Sequence, residues 1–111
     1  MQSDPYLRQQ YLKFNRLYFS GQLPTEDVFL FWEPVEGCDA DCVPIADHRN
    51  NITGEIVIRM DPSLRTHTRI VKMVLLHEMT HIKIWPYPHH GKRFQDEMKR
   101  LVAAEAFRNL W

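Results

Sequence analysis

Apolar residues Leu7, Tyr11, Phe14 and Tyr18 recur three and four positions apart near the start of the chain. That spacing predicts one buried helical stripe. Asp4 offers an N-cap and Pro5 suits the first helical position. Ser20-Gly21, with Pro24 shortly after, predicts the stop. Val28 to Trp32 is a short apolar run that reads as a strand. Residues 33–42 are polar, with Pro and Gly, and read as a loop. Val43 to Ala46 reads as a second short strand and Asp47 to Asn51 as a turn. Glu55 to Met60, rich in β-branched residues, reads as a third strand that Asp61-Pro62 ends.

From about Thr66 to Trp85 the pattern turns helical again, with Ile70, Val74, His77, His81 and Ile84 on one face. Pro86 and Pro88 break this helix, and Gly91 opens a last one with Phe94, Met98, Leu101 and Glu105 on one stripe. The order of helix, strands, helix, helix predicts an α+β fold. A length of 111 residues fits one domain spanning 1–111.

Composition narrows the function classes. Fourteen basic residues balance fourteen acidic ones, which gives no support to binding of nucleic acid or an anionic membrane. No apolar run is long enough to span a bilayer, and the N-terminal residues lack a signal-peptide pattern. The expected compartment is the cytoplasm and the expected state a monomer. Cys38 and Cys42 are too few for a disulfide framework or a four-ligand structural zinc site, so free thiols are expected.

The chemistry concentrates in His77-Glu78-Met79-Thr80-His81, an HExxH motif inside the central helical pattern. Residues i and i+4 lie one turn apart on the same face, so both imidazoles can reach one zinc ion at about 2.0–2.1 Å. Glu78 stands beside the first ligand and can act as general base toward a water that the ion has acidified. A catalytic zinc site needs a third protein ligand and one open position. His89 and His90 follow His81 by eight and nine residues, after two prolines that let the chain turn back, and either can complete the set. Glu97 is a further candidate, because one zincin class uses a glutamate on the following helix. His48 and His67 are lone histidines, expected at the surface or in caps. Tyr87 and Arg93 are candidates for stabilising an oxyanion. Asp96 or Glu97 is expected in solvent, or orienting a histidine.

The pair of motifs His77-Glu78-xx-His81 and His90-Gly91-xx-Phe94 resembles the SprT-like (Spartan-type) metallopeptidase family. Phe14-Asn15, Tyr18-Phe19, Gly21, Leu23-Pro24 and the stretch Gly54 to Ile58 also look like that family's core. The resemblance implies a zincin-like α+β domain, with an N-terminal helix, a small three-stranded sheet, the HExxH helix and a C-terminal helix. It implies one catalytic zinc held by His77, His81 and, of the two adjacent histidines, His90. It implies hydrolysis of protein or peptide substrates with Glu78 as base. Some members carry DNA-binding extensions or a cysteine-rich zinc ribbon, which this sequence does not show, so nucleic acid is a partner by resemblance only. An extended peptide is expected to lie along a sheet edge, with Gly54 to Met60 as the candidate. Two other readings compete. One is a non-catalytic module whose fold zinc stabilises. The other is a deformylase-like amidase, from the faint similarity of Glu36-Gly37-Cys38, 39 residues before His77, to that enzyme's cysteine motif.

Overall fold

The computed structural model describes residues 2–37, 40–46, 52–85, 87 and 90–110. Helix α1 spans Pro5–Tyr18. Its start follows the sequence reading: the Asp4 carboxylate accepts a hydrogen bond from Leu7 N at 3.0 Å, and Pro5 stands at N1. Leu7, Tyr11 and Phe14 are buried, and Tyr18 is half-buried. Ser20 and Gly21 take left-handed φ values of 53° and 70° as the chain leaves the helix. The exit is fixed by Asn15, which is buried. Its amide group donates to Leu23 O and accepts from Leu23 N, both at 3.0 Å. A buried polar side chain is stable only when so satisfied, and here it replaces the ladder that the turn lacks.

Three strands follow: β1 (Val28–Trp32), β2 (Ala40–Ala46) and β3 (Ile52–Met60). They form a sheet in the order β1-β3-β2, with β1 parallel and β2 antiparallel to β3. Val28 pairs with Ile56, Leu30 with Ile58 and Trp32 with Met60. Because side chains alternate along strands, this register puts Val28, Leu30, Ile56, Ile58 and Met60 on one buried face.

Two strand expectations need correction. Residues 40–42 belong to β2, not to the loop, and β3 begins at Ile52 rather than Glu55. Antiparallel pairing supplies the missing signal: Ala40 stands opposite Met60 and Asp41 opposite Arg59, so partners across the sheet define strand residues that local composition leaves polar. More consequentially, Gly54 to Met60 is no edge. β3 is the central strand, paired on both sides. The outer side of β1 is covered at Leu30, whose carbonyl accepts from Asp4 N at 2.8 Å and whose amide donates to Ser3 Oγ at 3.0 Å. Among the described residues β2 has a strand neighbour on one side only. The turn expected at 47–51 lies outside the described residues, as do Pro86 and Pro88.

A 3-10 turn over Pro62–Leu64, capped by the Asp61 side chain, leads to helix α2 (Thr68–Lys83), and α3 spans Lys92–Ala103. The face of α2 that packs into the core carries Val71, Leu75, Leu76, Met79 and Ile82. The stripe containing Val74, His77 and His81 is half-buried, and Ile70 at its start is 43% exposed. The helix thus has a core side and, rotated from it, a side that looks outward over α3. On α3, Phe94 and Leu101 are buried and Met98 packs against the core. Glu105 does not continue that stripe: the helix ends at Ala103, and Glu105 is an exposed turn residue with φ 64°. Helices on one face of a small mixed sheet make this an α+β fold, as expected from the order of elements.

Candidate metal centre

The i, i+4 spacing on α2 brings His77 and His81 together, with Nε2 atoms 3.2 Å apart. His90 arrives from the residue before the N-cap of α3. Its Nε2 lies 3.2 Å from that of His77 and 3.1 Å from that of His81. Gly91, the N-cap, begins the helix there, and Gln95 N bonds its carbonyl at 3.0 Å. Two elements, α2 and the lead into α3, therefore direct three ring nitrogens at one point.

This triangle is not a hydrogen-bond ring. A neutral imidazole nitrogen carries either a proton or a lone pair, never both. Three such atoms can satisfy at most two of the three edges, and the third must set like against like. A single cation that accepts all three lone pairs removes the conflict. The size also fits. An ion with tetrahedral bonds of about 2.0–2.1 Å holds its nitrogen ligands roughly 3.3–3.4 Å apart, slightly more than the edges observed. Neutral imidazoles suit transition-metal cations such as zinc, copper, iron or nickel rather than magnesium or calcium. Among the described residues, these three histidines are the cluster that can hold a metal ion.

The electrostatics keep two of the rings ready for this role. Burial lowers the pKa of His77, and the charge of His90 adds to the effect. Burial, then His77 and His90, bring His81 down to about 4. Both are therefore unprotonated at neutral pH, the form a metal requires. Phe94 closes the inner side of the cluster. Its ring centroid lies 4.9 Å from that of His77, 5.0 Å from His81 and 4.6 Å from His90.

Glu78 follows the first histidine and is 7% exposed. Burial, reinforced by the negative charge of Asp41, pushes its pKa up to about 7. Asp41 is a feature that sequence reading missed. It sits on β2 opposite Arg59, whose guanidinium donates to it from Nε at 2.9 Å and also from Nη2. The opposite charges could be noticed in the sequence, but only the register shows that they face each other. Between the two α2 histidines, Met79 and Thr80 are fully buried, and Thr80 Oγ1 donates to Leu76 O at 2.8 Å. The motif thus commits Met79 and Thr80 to the interior and leaves both imidazoles half-buried.

The other candidates lie elsewhere. Glu97 accepts from Arg100, and Asp96 from Lys92 at 2.7 Å, so neither joins the histidines. Arg93 stacks over the Tyr87 ring at 3.8 Å. The two line a groove of about 500 Å³ with Lys83, Trp85 and Arg100, and its lining includes none of the three histidines. His67 is the exposed N-cap residue of α2, without a side-chain capping bond. His89, His48 and Cys38 fall outside the described residues, so the alternative third ligand and the deformylase-like cysteine do too. The backbone of Cys42 belongs to β2, opposite Ile58.

No helix among the described residues is long and apolar enough to cross a membrane. Comparison with curated proteins and with solved structures finds no match. The model of the SprT-like family, in contrast, matches residues 7–109, which takes in most of α1, the sheet, the three histidines and Glu78, and on that match the chain belongs to the SprT-like family.

Proposed function

We propose that this chain is a zinc-dependent metallopeptidase, with His77, His81 and His90 as metal ligands and Glu78 as general base. The observation that carries the reading is the triangle of three Nε2 atoms with edges of 3.1–3.2 Å, next in sequence to a buried carboxylate. Family membership supports it from an independent side.

A zinc ion held by the three histidines would polarise the scissile carbonyl and acidify water. The remaining work falls to the chain. Glu78 takes the proton of the attacking water and passes it to the leaving amine, breaking the C–N bond. A base is most effective when its pKa lies near the working pH, and the burial of Glu78 brings it there. The chain also has to bring a peptide to the histidines in extended form. β2 packs against α2 and has β3 on one side only among the described residues. A substrate strand can add to that open side by main-chain hydrogen bonds. On this reading the substrate strand adds to β2 rather than to Gly54 to Met60, which lies in the central strand.

Digestion of an unfolded protein such as casein, with and without chelator, tests the reading when combined with metal analysis. About one zinc per chain and chelator-sensitive cleavage are expected. Glu78→Gln should retain the zinc and lose cleavage. Full activity in that variant would remove Glu78 from the mechanism. Stoichiometric zinc with no cleavage of any unfolded substrate would leave a zinc-stabilised binding module instead.

A further inference from the structure

The three histidines have no rigidity of their own. The last torsion of an imidazole side chain is broad and roughly two-fold. Each ring can turn either Nε2 or, after a flip about its last torsion, Cε1 to the centre, giving about eight combinations for three rings, only one of which converges all three Nε2 atoms. Something must select it. Beyond the histidines themselves, one aromatic side chain stands against every ring: Phe94, with centroid separations of 4.6–5.0 Å and interplanar angles of 61°, 34° and 66° to His77, His81 and His90. It is 7% exposed, so little of its ring is left to solvent. It also stands in the first turn of α3, four residues after His90, so one short element supplies both the third imidazole and the surface on which all three lie.

We propose that Phe94 is the positioning residue of the metal site, an aromatic platform that sets the ring orientations of His77, His81 and His90 before any cation arrives. The inference rests on the metal-site reading above and goes beyond it, because it assigns the organising role to a residue without a ligand atom. The flip leaves the ring plane unchanged, but the Phe94 quadrupole distinguishes a C–H edge from a nitrogen lone pair, so an edge-to-face contact favours one ring orientation over its flipped alternative. A branched aliphatic side chain of similar bulk fills the space without that preference.

The test compares wild type with Phe94→Leu. Three quantities are read: zinc dissociation constant by competition with a chromophoric chelator, the visible spectrum of the cobalt(II) form, and far-UV circular dichroism of the metal-free protein. Loss of ring selection alone predicts a weakening of about eight-fold, and loss of an outer-shell partner of metal ligands reaches about 10–100-fold. We expect the leucine variant to keep its circular dichroism, to bind zinc about 10–100-fold more weakly, and to lose the intense cobalt absorption of a tetrahedral site. Wild-type affinity and an unchanged cobalt spectrum in Phe94→Leu would overturn the proposal. Should that variant not fold, NMR of the unaltered metal-free protein decides: persistent contacts from one set of Phe94 ring protons to all three imidazoles support it, and rotational averaging of those imidazoles refutes it. Wild type that binds no more zinc than His77→Ala would sink the metal reading and this proposal together. Zinc bound tightly by wild type and equally by Phe94→Leu would sink the proposal alone.

Discussion

Glu78 makes the metal-free protein a measurably pH-dependent fold. Its pKa when folded is about 7, against an ordinary value of 4.5. The folded state therefore holds this proton more tightly than the unfolded state does. The stability so gained is complete below pH 4.5 and is lost as pH rises through 7. The gap of about 2.5 pH units, at 1.36 kcal/mol each, amounts to about 3 kcal/mol. By pH 5 the residue has already lost about 0.8 kcal/mol, so roughly 2.5 kcal/mol is lost between pH 5 and pH 8.5. Glu78→Gln is neutral at every pH and should not show this loss.

Chemical denaturation of chelator-treated wild type and Glu78→Gln, at pH 5, 7 and 8.5, measures the effect. His77 and His81 titrate with the opposite sign. Their lowered pKa values cost stability as pH falls below the ordinary histidine value of 6.5. Both proteins share that cost, so it cancels in the difference between them. The advantage of Glu78→Gln over wild type should therefore grow by about 2–3 kcal/mol from pH 5 to pH 8.5. A difference that stays constant within about 0.5 kcal/mol would mean that the carboxylate is not destabilised by burial, and the account of Glu78 as a base raised to neutrality would fall with it.

Other expectations follow from the same structure. Asp41→Asn removes the second cause of the raised Glu78 pKa, so the pH profile of cleavage should shift its acidic limb to lower pH; an unmoved limb would leave burial as the whole cause. His90→Ala should weaken zinc binding by orders of magnitude, and unchanged metal content in that variant would reassign the third ligand. Zinc at 100 times its dissociation constant should stabilise wild type by about 2.7 kcal/mol in denaturation, an increment that His90→Ala should lack at the same concentration. Asn15→Ala leaves the buried amide and carbonyl of Leu23 without partners and should cost about 2–4 kcal/mol in the same measurement, with little effect on zinc affinity once folded.

What could be read from the sequence divides along a physical line. Signals carried within a few residues were legible. The Asp4-Pro5 start of α1, the 28–32 strand, the HExxH helix and the Gly91 start of α3 are all local patterns, and the structure has them where expected. The His77–His81 pair is legible for the same reason, since helix geometry alone sets i against i+4. Features made by distant parts of the chain were not legible. The central place of β3 depends on β1 and β2 flanking it, and no local pattern distinguishes a central from an edge strand when both carry β-branched residues. Asp41 beside Arg59, and Asn15 holding Leu23, are polar residues whose partners lie 18 and 8 positions away.

Phe94 belongs to both groups, and this explains the economy of the site. Its apolar spacing with Met98 and Leu101 marks it as a buried residue, and it is 7% exposed. The same periodicity gives no hint that the core there ends against three imidazoles. A carboxylate or carbonyl partner orients one histidine by one hydrogen bond, whereas a ring buried at the meeting of α2 and α3 touches all three at once. In a chain with 22 described apolar residues buried, such a residue serves packing and ligand orientation through the same contacts. The cost is that the two cannot be varied separately: any substitution that loosens the α2–α3 junction also loosens the convergence of the nitrogens. That coupling is why stability and metal affinity should fall together along a series of Phe94 variants of decreasing ring character, and apart in Asn15→Ala, where the clamp lies at the far end of α1.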